Sequence, residues 1–208
     1  MPTTQPASPA SLQVEVYDKD KPLTPTSLTP LAIGMATEQY RSADDTAMIW
    51  AGQGYVPSID RCIKELGQPK VEAMLKAYLI RLNVVGNAAR PLSEGAIEAM
   101  VPIILDHIVK DLEVTITLAD LKIIFDRAMK GHYGTPYGGF TSQDICGWFD
   151  KWDKEKREAI DRVEQRRKRE ELAANRIDHR VSEVFAHRAA HARYVQEQAK
   201  KNSKTIDQ

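Results

Sequence analysis

Three groups of residues in this chain have types and spacings that chemistry can use. His187 and His191 stand one helical turn apart, with Glu183 one turn earlier and His179 one turn before that. An i, i+4 pair of imidazoles chelates a divalent metal when a third ligand is at hand. Here no glutamate follows His187 directly, so the His-Glu-x-x-His arrangement is missing, and successive i+4 steps drift around a helix. A solvated histidine-bearing face is the favoured expectation, with no metal ligands assigned. The second group, Arg166-Arg167-Lys168-Arg169, is the only dense basic run. On a helix these four side chains wrap right round, so they form no groove-reading face by themselves. They can contact nucleic-acid phosphates, each contact steepening the salt dependence of binding. Glu164, Glu170 and Glu171 flank them and can pair with them instead. The third group is a set of rings, His132, Tyr133, Tyr137, Trp148 and Trp152. Such rings can stack on unpaired bases or meet a protein partner. They can equally form a small core that pins their loop to the helices beside it.

Other constellations fall away. Gly131, Gly134, Gly138 and Gly139 are followed by no Gly-Lys-Ser/Thr and preceded by no strand, so they read as turns and helix ends rather than a phosphate cradle. No Ser-His-Asp, Cys-His or paired-carboxylate arrangement can be assembled. The expectation is a non-enzymatic protein with no catalytic residues and no cofactor. Cys62 and Cys146 fall among apolar helical positions without Cys-x-x-Cys spacing, and read as buried free thiols.

These groups are carried by a chain of 208 residues, 42% hydrophobic and 28% charged, which fits a small core with a solvated appendage. Net charge is zero but split. Residues 150–208 hold 16 lysines and arginines against 12 aspartates and glutamates, leaving the first 149 residues acidic to the same extent. That split permits an anionic partner for the C-terminal part. No apolar run approaches the ~20 residues a membrane span requires, and no secretory leader is evident, so a cytoplasmic protein without membrane contact is expected.

Residues 1–34 contain six of the eleven prolines among many Ser and Thr, and read as a disordered Pro/Thr-rich arm. Within it Leu12 to Tyr17 alternates at period two, as a strand added to a partner's sheet would. Helical periodicity begins at Met35 and predicts a helix over 35–50. A short helix follows at 58–66, a longer one from Pro69 to about Val85, and another is led by Ser93. Pro102 interrupts that last helix and predicts a kink or a restart. Thr117, with Asp120 three residues on, opens the next helix, which Gly131 closes. Thr141 or Ser142 then caps a helix with no visible stop for about fifty residues. Its first third carries Ile145, Trp148, Phe149, Trp152, Ala159, Ile160 and Val163, facing a core. The fold expected is all-α: the disordered arm, a small helical bundle over 35–163, and a charged helical extension over 164–208. Apolar residues returning over 173–208 suit a segment that folds back, pairs with another copy or docks on a partner, because a long helix is not held by propensity alone.

The run Gly131-His132-Tyr133-Gly134-x-x-Tyr137, followed by Asp144-Ile145, Trp148 and Asp153 to Arg157, resembles a family of small, uncharacterised helical proteins encoded by phages and mobile elements of gut bacteria. The likeness covers about residues 58–160, and Gly138-Gly139-Phe140 departs from the family's usual continuation. It implies a replication or recombination accessory factor, such as a loader or the partner of a helicase. The leading expectation is therefore a DNA-replication accessory protein. Its ring-bearing loop would meet a replication protein, and Arg166, Arg167, Lys168 and Arg169 would approach single-stranded or forked DNA. The alternative is a structural or packaging protein of a phage particle that self-assembles through 173–208.

Overall fold

The structure, a computed structural model, describes residues 18–85, 91–134 and 139–206. Along the last helix it describes side chains as far as Ala174 and at 183–189, 191 and 193. It is all-α, in two units, Met1–Asp161 and Arg162–Gln208. A 3₁₀ turn, Pro25–Leu28, precedes α1 (Pro30–Ala36), α2 (Ala43–Trp50), α3 (Ile59–Leu66), α4 (Gln68–Val85), α5 (Glu94–Lys110), α6 (Leu118–Met129) and α7 (Ser142–Ile206). α7 supplies the first unit up to Asp161 and the second beyond it.

Side-chain caps set most of the helix starts. Ser58 and Ser93 accept the N–H groups of Arg61 and Ala96, three residues into α3 and α5. Reciprocal boxes, with aspartate as the returning acceptor, open α2 (Ser42 and Asp45), α6 (Thr117 and Asp120) and α7 (Thr141 and Asp144). Each satisfies N–H groups that have no partner inside the helix. α6 ends as its glycine predicts. Gly131 takes φ +77° while His132 N–H reaches Arg127 O at 3.0 Å and Gly131 N–H reaches Ala128 O. That is the paired closure of a left-handed C-terminal residue. The starts of α3 and α6 are tied together, Ile59 N–H donating to Ile116 O (2.9 Å) and Leu118 N–H to Pro57 O (3.0 Å).

Two boundaries differ from the sequence reading. Residues 1–17 of the expected arm, with the alternating Leu12–Tyr17, lie outside the described residues, but the rest of the arm up to residue 34 belongs to the body. Leu23, Leu28 and Ile33 are buried, Leu23 N–H donates to Glu65 (3.0 Å), and the Lys21 carbonyl accepts from Arg61 (3.2 Å). Pro25 and Pro30 occupy the first positions of their helices, where proline's missing donor costs nothing. The helix expected over 35–50 is also two helices. The chain turns at Thr37–Ser42, where the buried Thr37 hydroxyl donates to Ile33 O (2.6 Å) and the Ser42–Asp45 box restarts it.

The core is built on α4, whose Val71, Met74, Leu75, Tyr78, Leu79 and Leu82 are buried among α3, α5, α6 and α1. Tyr78 stacks on Phe125 (4.9 Å), which meets Phe149 edge-on (6.4 Å). Pro102 does not divide α5, which runs unbroken through it. The proline is exposed, so the Glu98 carbonyl it deprives of a partner lies on the solvent side and can bond water. Cys62 is fully buried and burial pushes its thiol up to about 12, while Cys146 is half-buried rather than buried; both are free.

The link between α2 and α3 makes a test of this packing. Gly54 lies at φ +93°, and a β-carbon there would come 2.6 Å from the hydroxyl of buried Tyr40. Gly52, at φ +85°, has open space around it. Gly52→Ala is expected to cost about 1 kcal/mol for the left-handed backbone alone, and Gly54→Ala about 1–3 kcal/mol because Tyr40 must also shift. Urea melts of the two variants check this, and equal losses would show that Tyr40 yields freely.

In the second unit, Gln165 to Ala174 are all exposed, as are residues 183–189. Leu172, Val184 and Phe185 are 55–65% exposed. Among the described residues no helix is long and apolar enough to cross a membrane.

Candidate functional site

Of the rings singled out in the sequence, Tyr133 and Trp148 are brought together, and Trp148 and Trp152 point inward. Trp148 is 5% exposed and Trp152 fully buried. Tyr133 stacks on Trp148 (5.5 Å, 13° between planes) and Phe140 meets Trp148 edge-on (5.4 Å). The Arg127 guanidinium lies over Trp152 (4.8 Å) and holds Glu155 with two bonds of 2.6 and 3.0 Å. Burial raises the Tyr133 phenol above its ordinary range, against the pull of Arg127. These rings form the small core that pins the loop to the start of α7. Trp148 and Trp152 offer no face to a base or to a partner, which corrects the assignment of these two as contact residues. The physical reason is that two large rings one turn apart on a single helix face lose most water-exposed area when the body packs over that face. His132 remains exposed, Tyr133 is half-buried, and Tyr137 lies outside the described residues.

Beneath Trp152 is a polar cluster that no spacing announces. Asp120 is fully buried and accepts Trp152 Nε1 at 3.0 Å through one oxygen. Its other oxygen accepts Thr117 N (2.8 Å), Thr117 Oγ1 (2.7 Å) and Lys156 Nζ (2.6 Å). Lys156 is 3% exposed and also donates to Thr115 O (2.7 Å). Asp153 accepts Val114 N–H (2.9 Å) and pairs with Arg157, which reaches Glu113 (2.7 Å). The Asp153–Arg157 cluster thus stitches residues 113–117 to α7. Buried charges this well bonded hold a joint in one geometry. His107 belongs to the same style of joint, its two ring nitrogens facing Asp111 (2.9 Å) and Asp150 (2.8 Å).

The concave surface lies elsewhere on the first unit. Between α1, α4 and α6 is a groove of about 650 Å³ lined by Thr29, Pro30, Leu31, Gly34, Met35, Glu38, Arg81 and Lys122. A second, of about 510 Å³, is lined by Glu38, Arg41, Lys122, Ile123, Asp126, Arg127, Lys130 and His132. Glu38 and Lys122 line both, so the two adjoin. One end is aliphatic, with Leu31 75% and Met35 37% exposed, and the other is cationic. Its cations come from the turn between α1 and α2 (Arg41) and from α6 with its C-terminal turn (Lys122, Arg127, Lys130 and His132), far apart in sequence.

On α7 the four basic residues 166–169 are all exposed. Arg167 pairs with Glu171 (3.1 Å) and Lys168 approaches Glu164 (3.8 Å). His187 and His191 are exposed too, and among the described residues no three histidine, cysteine or acidic side chains stand close enough to hold a metal. Comparison with family models, with curated proteins and with solved structures finds no match to this chain.

Proposed function

We propose that the protein is a non-enzymatic accessory factor of phage or mobile-element DNA replication, whose body binds a replication protein such as a helicase and whose basic helix meets single-stranded or forked DNA. The observation that carries this reading is the run Arg166 to Arg169, exposed on all four side chains within ten consecutive exposed residues. The resemblance of the 131–157 region to mobile-element proteins supplies the replication setting. With Trp148 and Trp152 buried, the partner contact passes to the groove, which keeps His132 from the original set.

The geometry refines the DNA contact. Arg166 and Arg169, three residues apart, share a side of the helix, while Arg167 and Lys168 spend charge on Glu171 and Glu164. These pairs are exposed and weak, so Arg167 and Lys168 contribute less rather than nothing. In fluorescence anisotropy with a forked oligonucleotide, R166Q/R169Q is expected to weaken binding about tenfold or more and to reduce the salt slope by about 1–2. R167Q/K168Q should change both less. Binding that ignores all four substitutions would remove DNA from the function.

A second reading, self-assembly as a structural or packaging protein of a phage particle, draws on the exposed Leu172, Val184 and Phe185. Light scattering on the same samples separates the two. Oligomers that grow with concentration and vanish on deletion of 173–208 favour assembly, and a monomer throughout favours the accessory factor.

A further inference from the structure

We infer that the joined groove of the first unit is a docking site for an acidic, leucine-bearing peptide segment of a partner protein. Its two ends set complementary requirements. At one, Pro30, Leu31 and Met35 present aliphatic surface with the shallow, exposed character of a side-chain anchor site. Leucine and methionine at this exposure lose water when a partner's apolar side chain covers them. At the other, Arg41, Lys122, Lys130 and His132 stand around a floor that includes buried Ile123.

Counted along both ends, five lysines and arginines face two carboxylates, Glu38 and Asp126, and Lys122 and Asp126 are 3.6 Å apart. Arg127 is committed to Glu155 and Lys122 faces Asp126, so the charge left for a ligand comes mainly from Arg41, Arg81 and Lys130. A surplus of positive charge steers an acidic ligand and fixes its register, while the apolar anchor supplies affinity. Nucleic acid fits less well. The apolar end has aliphatic side chains where bases need rings, and Glu38 stands in the middle of the path a phosphate backbone would follow.

This rests on the reading of the body as the partner-binding part and is independent of the DNA contact. The probe is a short fluorescein-labelled peptide alternating leucine with aspartate and glutamate, titrated with the full chain in moderate salt. Saturable binding is expected, weakened about tenfold or more by R41E/K130E and likewise by Leu31→Asp, with R166Q/R169Q leaving it unchanged. All these positions are exposed, and circular dichroism melts confirm that each variant is folded. A lysine-for-acid version of the peptide should fail to bind.

Several results would overturn the inference. They are absence of saturable binding, binding indifferent to R41E/K130E and Leu31→Asp, and displacement of the peptide by oligo(dT). Two others are dimers that R41E/K130E dissolves, which would make a second copy the occupant, and peptide binding that tightens tenfold when residues 1–17 are deleted, which would make the chain's own N-terminus the occupant. The forked-DNA titration reads the replication proposal separately. Loss of peptide binding with DNA binding intact would sink only the groove, and the converse would sink only the DNA contact.

Discussion

Asp120→Ala is expected to cost about 3–5 kcal/mol of folding stability, among the largest losses any single substitution in this chain can produce. The carboxylate is fully buried, with four donors around it, and one of them is the ammonium of Lys156, itself 3% exposed. Alanine removes the counter-charge and leaves Lys156 inside with only the Thr115 carbonyl. It also orphans Trp152 Nε1 and opens the N-terminal box of α6. Asp120→Asn keeps the shape but turns an amide N–H₂ or a weaker acceptor toward Lys156, so most of the loss should persist. The diagnostic variant is D120N/K156M. A buried ion pair contributes little net stability once its desolvation is counted, so removing both charges should recover much of what either single change loses. Urea melts of the four proteins form a double-mutant cycle, with a coupling of about 2 kcal/mol or more expected. A loss below about 1 kcal/mol for Asp120→Ala would mean that water reaches Lys156 and that the joint is not closed.

That joint shows where the sequence stops being informative. Thr117 and Asp120, three residues apart before an apolar stripe, announce a helix start, and the structure places one there. The two oxygens of Asp120 also meet Trp152 and Lys156, one each, 32 and 36 residues away, and no local pattern encodes that pairing. Lys156 reads as one more charge in a solvated cluster, because its burial is decided by what α6 and residues 113–117 place over it. Ser58, Ser93 and Gly131 are legible for the opposite reason. Caps and left-handed glycines act on their own helix, within a turn of their position. The proline-rich segment misleads through composition. Pro25 and Pro30 lower mean hydropathy as a linker would, yet they stand at the first helical positions, and the buried Leu23, Leu28 and Ile33 are too sparse to show a period. Trp148 and Trp152 share a face as their spacing requires, but spacing cannot say whether that face looks inward. The groove was illegible altogether, since Leu31, Arg41, Arg81 and Lys130 come from different elements and meet only through packing.

The last expectation concerns how much of α7 the body needs. A chain ending after Gln165 should melt within a few degrees of the full-length protein, whereas one ending after Phe140 should show no cooperative transition at all. The first half of the argument is that the second unit starts at Arg162, and Gln165 to Ala174 are exposed on every side chain, so their removal uncovers little apolar surface. The second half is a comparison of magnitudes. Ile145, Trp148, Phe149 and Trp152 are each no more than 5% exposed, and burying a large apolar side chain contributes about 1.5–3 kcal/mol. Four such residues supply about 6–12 kcal/mol, as much as the whole stability of an ordinary domain. Lys156, Asp153 and Arg157 leave with them, abandoning Asp120 as a buried carboxylate without its cation. Thermal melts followed by circular dichroism and by tryptophan fluorescence decide the matter. A cooperative melt from the chain ending after Phe140 would show that α1–α6 close a core without α7. A collapse of the chain ending after Gln165 would mean that the charged extension itself supports the body.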